Sequence, residues 1–347
     1  MKRAKCIAAG LLSLCLAIGG SGCAMNEKDD DTYQAIMVTD TGGINDQSFN
    51  QSSWEGLKNF RDSTGSTIRY LESKQASDFT TNLDRATDTY PDIVWGIGFS
   101  LADSLLQVAA MNPDINFAII DQSFEETPQN VTGVVFKAEE SSFLVGYIAG
   151  LSTKTDKVGY VGAMKTFVND QFEYGFLAGV AYAAAELGKD IEVQEQFTES
   201  YSDVAKAKGI ANKMFANGCD IVFHSAGGAG FGVIESAKEN NKMAIGVDTD
   251  QSYLAPDNVL TSGLKNVDVA VESISKMDMD GEEIGGKTFS YGLKENGVGI
   301  PEVNKNMDPA VYDKAMEIQE MIINGDLVAP STEETYNEFI ANLNGTK

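Results

Sequence analysis

Ala35-Ile-Met-Val-Thr-Asp40-Thr-Gly-Gly-Ile-Asn-Asp-Gln-Ser-Phe49-Asn-Gln51 passes from a short apolar run, through a double glycine, into a polar stretch with helical spacing. The run is short and rich in strand-forming residues, so it reads as a buried strand. Gly42 and Gly43 allow a tight backbone turn, and Asp46 or Ser48 can cap the helix that follows. The same phrase recurs along the chain. Further strands are predicted at 67–71, 93–98, 117–121 and 131–136, then at 158–161, 191–197, 221–224, 244–248 and 259–264. Helical segments lie between them, near 48–62, 78–89, 100–111, 139–152, 169–187, 202–217 and 230–240. From about 288 the pattern weakens to extended pieces and a helix near 308–324. Strand–helix alternation of this kind means parallel sheets covered on both faces. Near-continuous apolar runs such as Phe117-Ala-Ile-Ile120 fit strands buried on both sides. Two sets of about five strands predict an α/β protein with two similar lobes, without a solenoid repeat.

With 347 residues and 43% hydrophobic residues, the chain has material for two domains and ample core. Lys and Arg total 26 against 51 Asp and Glu, a net charge of −25. That field repels phosphate backbones and anionic lipid surfaces, so no nucleic acid partner is expected. The single histidine, His224, excludes a multi-histidine metal site.

Lys2, Arg3 and Lys5 precede an apolar stretch from Cys6 to about Ile18, too short for a permanent membrane span. Gly19-Gly-Ser-Gly-Cys23 then resembles the lipobox of bacterial lipoproteins, which implies a signal peptide at 1–22 and an acylated, palmitate-bearing Cys23. Asn26-Glu-Lys-Asp-Asp-Asp-Thr32 reads as part of a solvated tether at 23–32. Cleavage removes three basic residues and no acidic one, so the mature chain is more acidic still. It also removes Cys6 and Cys15; with Cys23 lipidated, Cys219 alone keeps a thiol and no internal disulfide can form.

Ligands in open α/β sheets bind beyond the carboxyl ends of the strands. Asp40, Asp121, His224-Ser-Ala-Gly-Gly-Ala-Gly230, Asp248-Thr-Asp250 and Lys265 all fall there, with Phe49 just beyond the first turn. Singly, an acid at a strand end is a helix cap, Phe49 is core, and Gly227–Gly232 is a tight turn. Jointly they suit a small polar ligand with a flat ring and several hydroxyls. Carboxylates accept from vicinal hydroxyls, and rings cover a flat base. Gly228-Ala-Gly-Phe-Gly232 misses the dinucleotide-binding spacing, and Asp278-Met-Asp-Gly-Glu-Glu283 lacks the twelve-residue calcium pattern. No Walker A run, nucleophile elbow or suitably spaced Cys–His pair is present. No enzyme activity, cofactor or metal is expected, and His224 is structural or cleft-lining.

Val38-Thr-Asp-Thr-Gly-Gly-Ile-Asn-Asp-Gln-Ser-Phe-Asn-Gln-Ser-Ser-Trp-Glu-Gly56 resembles the opening signature of the basic membrane protein family, lipoprotein substrate-binding components of ABC transporters that include purine nucleoside receptors. The resemblance continues through Asp170-Gln-Phe-Glu-Tyr-Gly-Phe-Leu-Ala-Gly179, Val222-Phe-His-Ser-Ala-Gly-Gly-Ala-Gly230, Gly246-Val-Asp-Thr-Asp250 and Leu260-Thr-Ser-Gly-Leu-Lys265. It implies a type I periplasmic-binding-protein fold: two doubly wound parallel-sheet lobes, joined by a multi-stranded hinge around a cleft. By the same analogy one lobe holds 33–137 plus 266–295, and the other holds 138–265 plus 296–347.

Carried over residue by residue, the resemblance puts Asp40 and Asp121 on the edge of a purine base and Phe49 on one face. Phe223 is expected on the other face, with Phe172 as competitor. Asp248 and Lys265, paired with each other, are expected to hold ribose hydroxyls, with the Gly227-Gly228 backbone close by. Asn50 and Phe99 are further candidates. Asn45 stands where relatives often carry Asp, and Phe231 occupies a variable position. The implied function is capture of guanosine, inosine or adenosine for uptake, by a monomer lipid-anchored to the cell membrane outside the cytoplasm and read by an ABC permease. A sugar or quorum-signal receptor on the same fold is the alternative. An enzyme acting on nucleosides is a third, disfavoured because the acids are spread over separate strand ends.

Overall fold

The computed structural model describes residues 32–345. The leader, Cys23 and all of the expected tether except Thr32 lie outside them. Elements are numbered in chain order. Strands β1 (Gln34–Val38), β2 (Thr67–Leu71), β3 (Ile93–Gly96), β4 (Asn116–Ile120), β5 (Val131–Phe136) and β11 (Lys287–Tyr291) build one sheet in the order β11-β5-β4-β3-β1-β2. Every pairing in it is parallel. Strands β6 (Lys157–Gly162), β7 (Glu192–Phe197), β8 (Ile221–Ser225), β9 (Met243–Asp248), β10 (Val259–Lys265) and β12 (Val298–Gly299) build a second, in the order β12-β10-β9-β8-β6-β7. Here only β12 runs antiparallel, beside β10. The two orders superimpose, so β4 occupies in the first sheet the place that β9 occupies in the second. The chain passes between sheets after β5, after β10, and between β11 and β12.

Period-two alternation sorts each strand between two cores. In the first sheet Met37, Trp95, Ala118 and Ile120 enter one, and Ile36, Val38, Val94, Phe117 and Ile119 enter the other. Burial on both sides is why these strands read as unbroken apolar runs. Helices α1 (Phe49–Thr64), α2 (Phe79–Thr87) and α3 (Ala102–Met111) belong to the first sheet, and α4 (Ala138–Ser152), α5 (Phe167–Leu187), α6 (Val204–Ala216) and α7 (Phe231–Asn240) to the second. Helices α4 and α5 touch backbone to backbone: a Cβ on Gly179 would lie 2.1 Å from the Phe143 carbonyl oxygen, so only glycine fits.

Two helices were not anticipated, α8 (Val267–Met279) and α10 (Glu333–Gly345). Helix α8 lies on α1, where a Cβ on Gly56 would meet the Asp268 carbonyl oxygen at 2.6 Å, and Ser275 accepts the Trp95 indole N–H at 3.1 Å. The tail forms α9 (Pro309–Asn324), which lies on α4, and then α10, which lies on α5. Among the described residues no helix is long and apolar enough to cross a membrane.

Candidate functional site

The carboxyl ends of the two sheets face each other across a cavity of about 260 Å3. That is just under the usual span for small-molecule pockets, room for one compact ligand and no polymer. Asp40, Phe49, Asn50, Phe99 and Asp121 line it from the first sheet's side, and Phe172, Gly227, Gly228, Asp248 and Lys265 from the second's.

The first wall is organised by Asp46. Its carboxylate accepts from the backbone N–H groups of Ser48 (3.0 Å), Asn50 (2.8 Å) and Gln51 (3.0 Å), capping α1, and from Asn50 Nδ2 at 2.9 Å. The same Nδ2 donates to Asp40 Oδ1 at 2.8 Å, which also accepts from Gly42 N at 2.8 Å. Asp40 is pushed up to about 6, chiefly by burial, with Asp46 and Asp121 adding to the rise against the pull of Gly42 and Asn50.

Asp121 and Asp248 share a backbone feature: each follows or ends its strand with φ of 63°, in the left-handed region that Asp tolerates better than most residues. Their partners differ. Asp121 Oδ2 accepts from Lys265 Nζ at 2.5 Å, a buried pair across the cleft. The ammonium also lies 4.8 Å from the Phe49 ring centroid and 5.1 Å from that of Phe136, where ring quadrupoles attract it. Asp248 accepts instead from the Ser48 hydroxyl, also across the cleft. The expected pairing of Asp248 with Lys265 is present as a charge interaction without a direct hydrogen bond. Lys265 ends β10 with its ammonium directed to the opposite sheet, and reaches Asp248 only through its field. Burial pushes Asp248 up to about 6, opposed by the Lys265 charge and the Ser48 bond.

Phe172, in the first turns of α5, lines the cavity; Phe223 does not. Phe223 is fully buried behind it, with centroids 6.4 Å from Phe172 and 5.2 Å from Phe176. Ile221 and Phe223 enter one core while Val222 enters the other, so parity directs Phe223 into packing. His224 faces the opposite way, fully buried, with Nε2 3.0 Å from Gln251 Oε1, and burial lowers it to about 4. A Cβ on Gly230 would collide with that imidazole, so the glycine run serves partly to seat His224. Cys219 is buried, and burial raises its thiol to about 11.

Several lining residues were not singled out from sequence: Asn169, Tyr201 and Ser225, with Met164 and Val168. Asn169 donates to the Met164 carbonyl (2.8 Å) and the Tyr201 hydroxyl oxygen (3.0 Å) and accepts from Ser225 Oγ (2.9 Å). Tyr201 and Ser225 stand after or at the end of β7 and β8, the rule that found the others. Gly227 has φ of 52°, and a Cβ there would touch the Tyr201 ring at 3.4 Å.

Beside the cavity the two walls touch directly through hydrogen bonds, at the edge of a second, open cavity of about 550 Å3. Gln47, with φ of 50°, turns its carbonyl to Thr249 Oγ1 (3.4 Å) and Gln251 Nε2 (3.3 Å), while its side-chain oxygen accepts from Tyr253 OH at 2.7 Å. On the cavity's other side Phe99 meets Phe167 edge to face, with centroids 5.4 Å apart.

Two doubly wound sheets closing on a buried pocket of rings and carboxylates define a protein that captures a small molecule between its halves. The chain belongs to the Bmp family, the PnrA-like ABC transporter substrate-binding proteins, whose profile matches residues 33–333. It is 37% identical over 344 residues to an ABC transporter nucleoside-binding protein BmpA of Lactococcus lactis subsp. cremoris, covering 92% of this chain and 95% of that one. It is 38% identical to a CD4+ T-cell-stimulating antigen of Listeria monocytogenes, covering 87% and 89%. Among solved structures, an ABC transporter solute-binding protein from Aeropyrum pernix matches with a TM-score of 0.80 at 26% identity, covering 90% of this chain and 98% of that one. A substrate-binding protein of this kind works outside the cytoplasm, with a small-molecule ligand and a membrane permease as its partners.

Proposed function

We propose that the protein captures a purine nucleoside in this cavity and presents it to an ABC permease. The observation that carries the reading is the set of groups around one pocket. The rings Phe49, Phe172 and Tyr201 line it together with Asp40, Asp248 and the Asp121–Lys265 pair. A flat base fits between rings, its N–H groups meet carboxylates, and ribose hydroxyls donate to Asp248. The nucleoside-binding Lactococcus relative supports the same ligand class. No chemistry is required of the site. Residues 33–137 with 266–295, and 138–265 with 296–347, are proposed to move as the two lobes. The chain is proposed to act as a monomer, held at the membrane by lipid on Cys23.

The test is mass spectrometry of the small molecule released by denaturing freshly purified protein, followed by calorimetry with guanosine, inosine, adenosine and ribose. A nucleoside should be released and should raise the melting temperature by mass action. Release and tight binding of a pentose, with no response to any nucleoside, sinks the reading and favours a sugar receptor.

A further inference from the structure

His224 stands one residue before the end of β8, fully buried, and does not line the cavity. Burial lowers it to about 4, so the ring is neutral near pH 7. A neutral imidazole carries one N–H, and its neighbours decide which nitrogen holds it. Nδ1 is buried without a hydrogen-bond partner, and Nε2 lies 3.0 Å from Gln251 Oε1.

Gln251 is 2% exposed, and its amide fits only one way round. Oε1 accepts from the Val247 N–H at 3.0 Å, and Nε2 donates to the Gln47 carbonyl at 3.3 Å. Reversing the amide would set N–H against N–H and oxygen against oxygen. With Oε1 fixed as an acceptor, the imidazole proton sits on His224 Nε2 and is donated. The surroundings hold Gln251 to this pose. Its backbone N–H donates to Ser262 Oγ at 3.1 Å, and a Cβ on Gly246 would stand 2.7 Å from Oε1. A chain of hydrogen bonds thus runs from an imidazole buried in the second half, through Gln251, to the loop before α1 in the first.

We infer that His224 is a positioning residue for the contact between the two walls: by holding Gln251 Oε1 it aims the Gln251 amide nitrogen at the Gln47 carbonyl. The inference goes beyond the ligand reading and holds whatever the pocket takes. Val247 alone would fix the oxygen at one point and leave the amide free to swing about it; the second donor fixes its plane. The cost is Nδ1, left buried without a donor.

Hydrogen exchange read by mass spectrometry on the ligand-free full chain tests this. His224→Leu should speed exchange roughly three- to tenfold at 45–51, the effect of weakening one hydrogen bond at a distance from the substitution. His224→Gln, which returns an N–H donor at similar reach, should restore most of the protection. Gln251→Leu should speed the same segment at least as much, and His224→Leu added to it should change nothing further there. If His224 only fills space, exchange rises in β8 and α7 around the missing ring while 45–51 keeps its rate. That result, or full additivity of the two substitutions at 45–51, overturns the inference. A second measurement needs no variant to fold. His224 is the chain's one histidine, so nitrogen-15 imidazole resonances of the untagged protein at about pH 7 should show a protonated Nε2 and a bare Nδ1. The opposite tautomer, or a doubly protonated ring, overturns the inference.

Discussion

Asp121 and Asp248 occupy matching places in the two halves of the molecule. Each sits at the carboxyl end of the corresponding strand, β4 or β9, with φ of 63°, and each reaches across the cleft. There the likeness ends. Asp121 meets the ammonium of Lys265, whereas Asp248 meets the neutral hydroxyl of Ser48 and is pushed up to about 6 by burial. One backbone device thus delivers two electrostatic outcomes. A carboxylate opposite a buried cation is compensated, with one oxygen committed to the frame and one left for a ligand. A carboxylate opposite a hydroxyl keeps unspent accepting capacity and is available to a ligand.

The sharpest way to break this comparison is to remove the cation. Lys265→Met leaves Asp121 buried without its partner, so the variant should lose about 3–5 kcal/mol of stability, read by urea unfolding. A loss below 1 kcal/mol would mean the pair is not structural. Asp248→Ala should act on binding more than on folding. Because Lys265 stays paired with Asp121, the expected cost is that of charge-assisted bonds to ribose, about 1.5–3 kcal/mol in guanosine affinity by calorimetry. Guanine, which lacks the sugar, should lose much less; equal losses for both would put Asp248 on the base.

The pH response comes next. Asp40 and Asp248 have folded values near 6, above the ordinary carboxylate range. The folded state therefore holds these protons more tightly than the unfolded chain. Their contribution is complete below about pH 4, the unfolded value, and is lost as pH rises through about 6. Glu139, raised to about 7 chiefly by burial, acts with the same sign. The ligand-free melting temperature should rise between pH 7 and 5, and Asp248→Asn should flatten part of that rise. A wild-type melting temperature that falls over this interval refutes the assignment. The smallest effect belongs to Ser48→Ala, which frees Asp248 from its cross-cleft donor. Nucleoside affinity should change by about 0.5–1.5 kcal/mol, and a tenfold or larger loss would make Ser48 a ligand contact.

The strands and the glycine-led turns were legible because two-sided burial writes continuous apolar runs bounded by Gly and Asp. Helix α8 was hidden by the same chemistry: Val267-Asp-Val-Ala-Val271 alternates like a strand, and it is helical because it lies on α1 at Gly56. Helix α10 offers only a weak apolar face, where Tyr336 and Phe339 are partly buried. In the site, strand-end position located the carboxylates, but the assignment of Phe223 failed on parity. Both faces of β8 are apolar, so nothing in its composition tells which residue looks into the cleft. Partner choice was equally illegible. That Lys265 bonds Asp121 and leaves Asp248 to Ser48 depends on how two sheets distant in sequence are set against each other.

The hydrogen bonds of Gln47 to Thr249, Gln251 and Tyr253 contain no ligand atom. They favour joined walls whether the pocket is full or empty, and a population shift can come only from the difference between those two cases. The carboxylate oxygens of Asp40 and Asp248 that line the pocket without a hydrogen-bond partner pull the other way, since the proposed ligand would engage them and an empty pocket does not. The balance between these sets fixes how often an unloaded molecule is mistaken for a loaded one by whatever reads the closed shape. On the proposed reading, the knuckle at Gln47 raises the background of false deliveries and the unpartnered carboxylate oxygens suppress it.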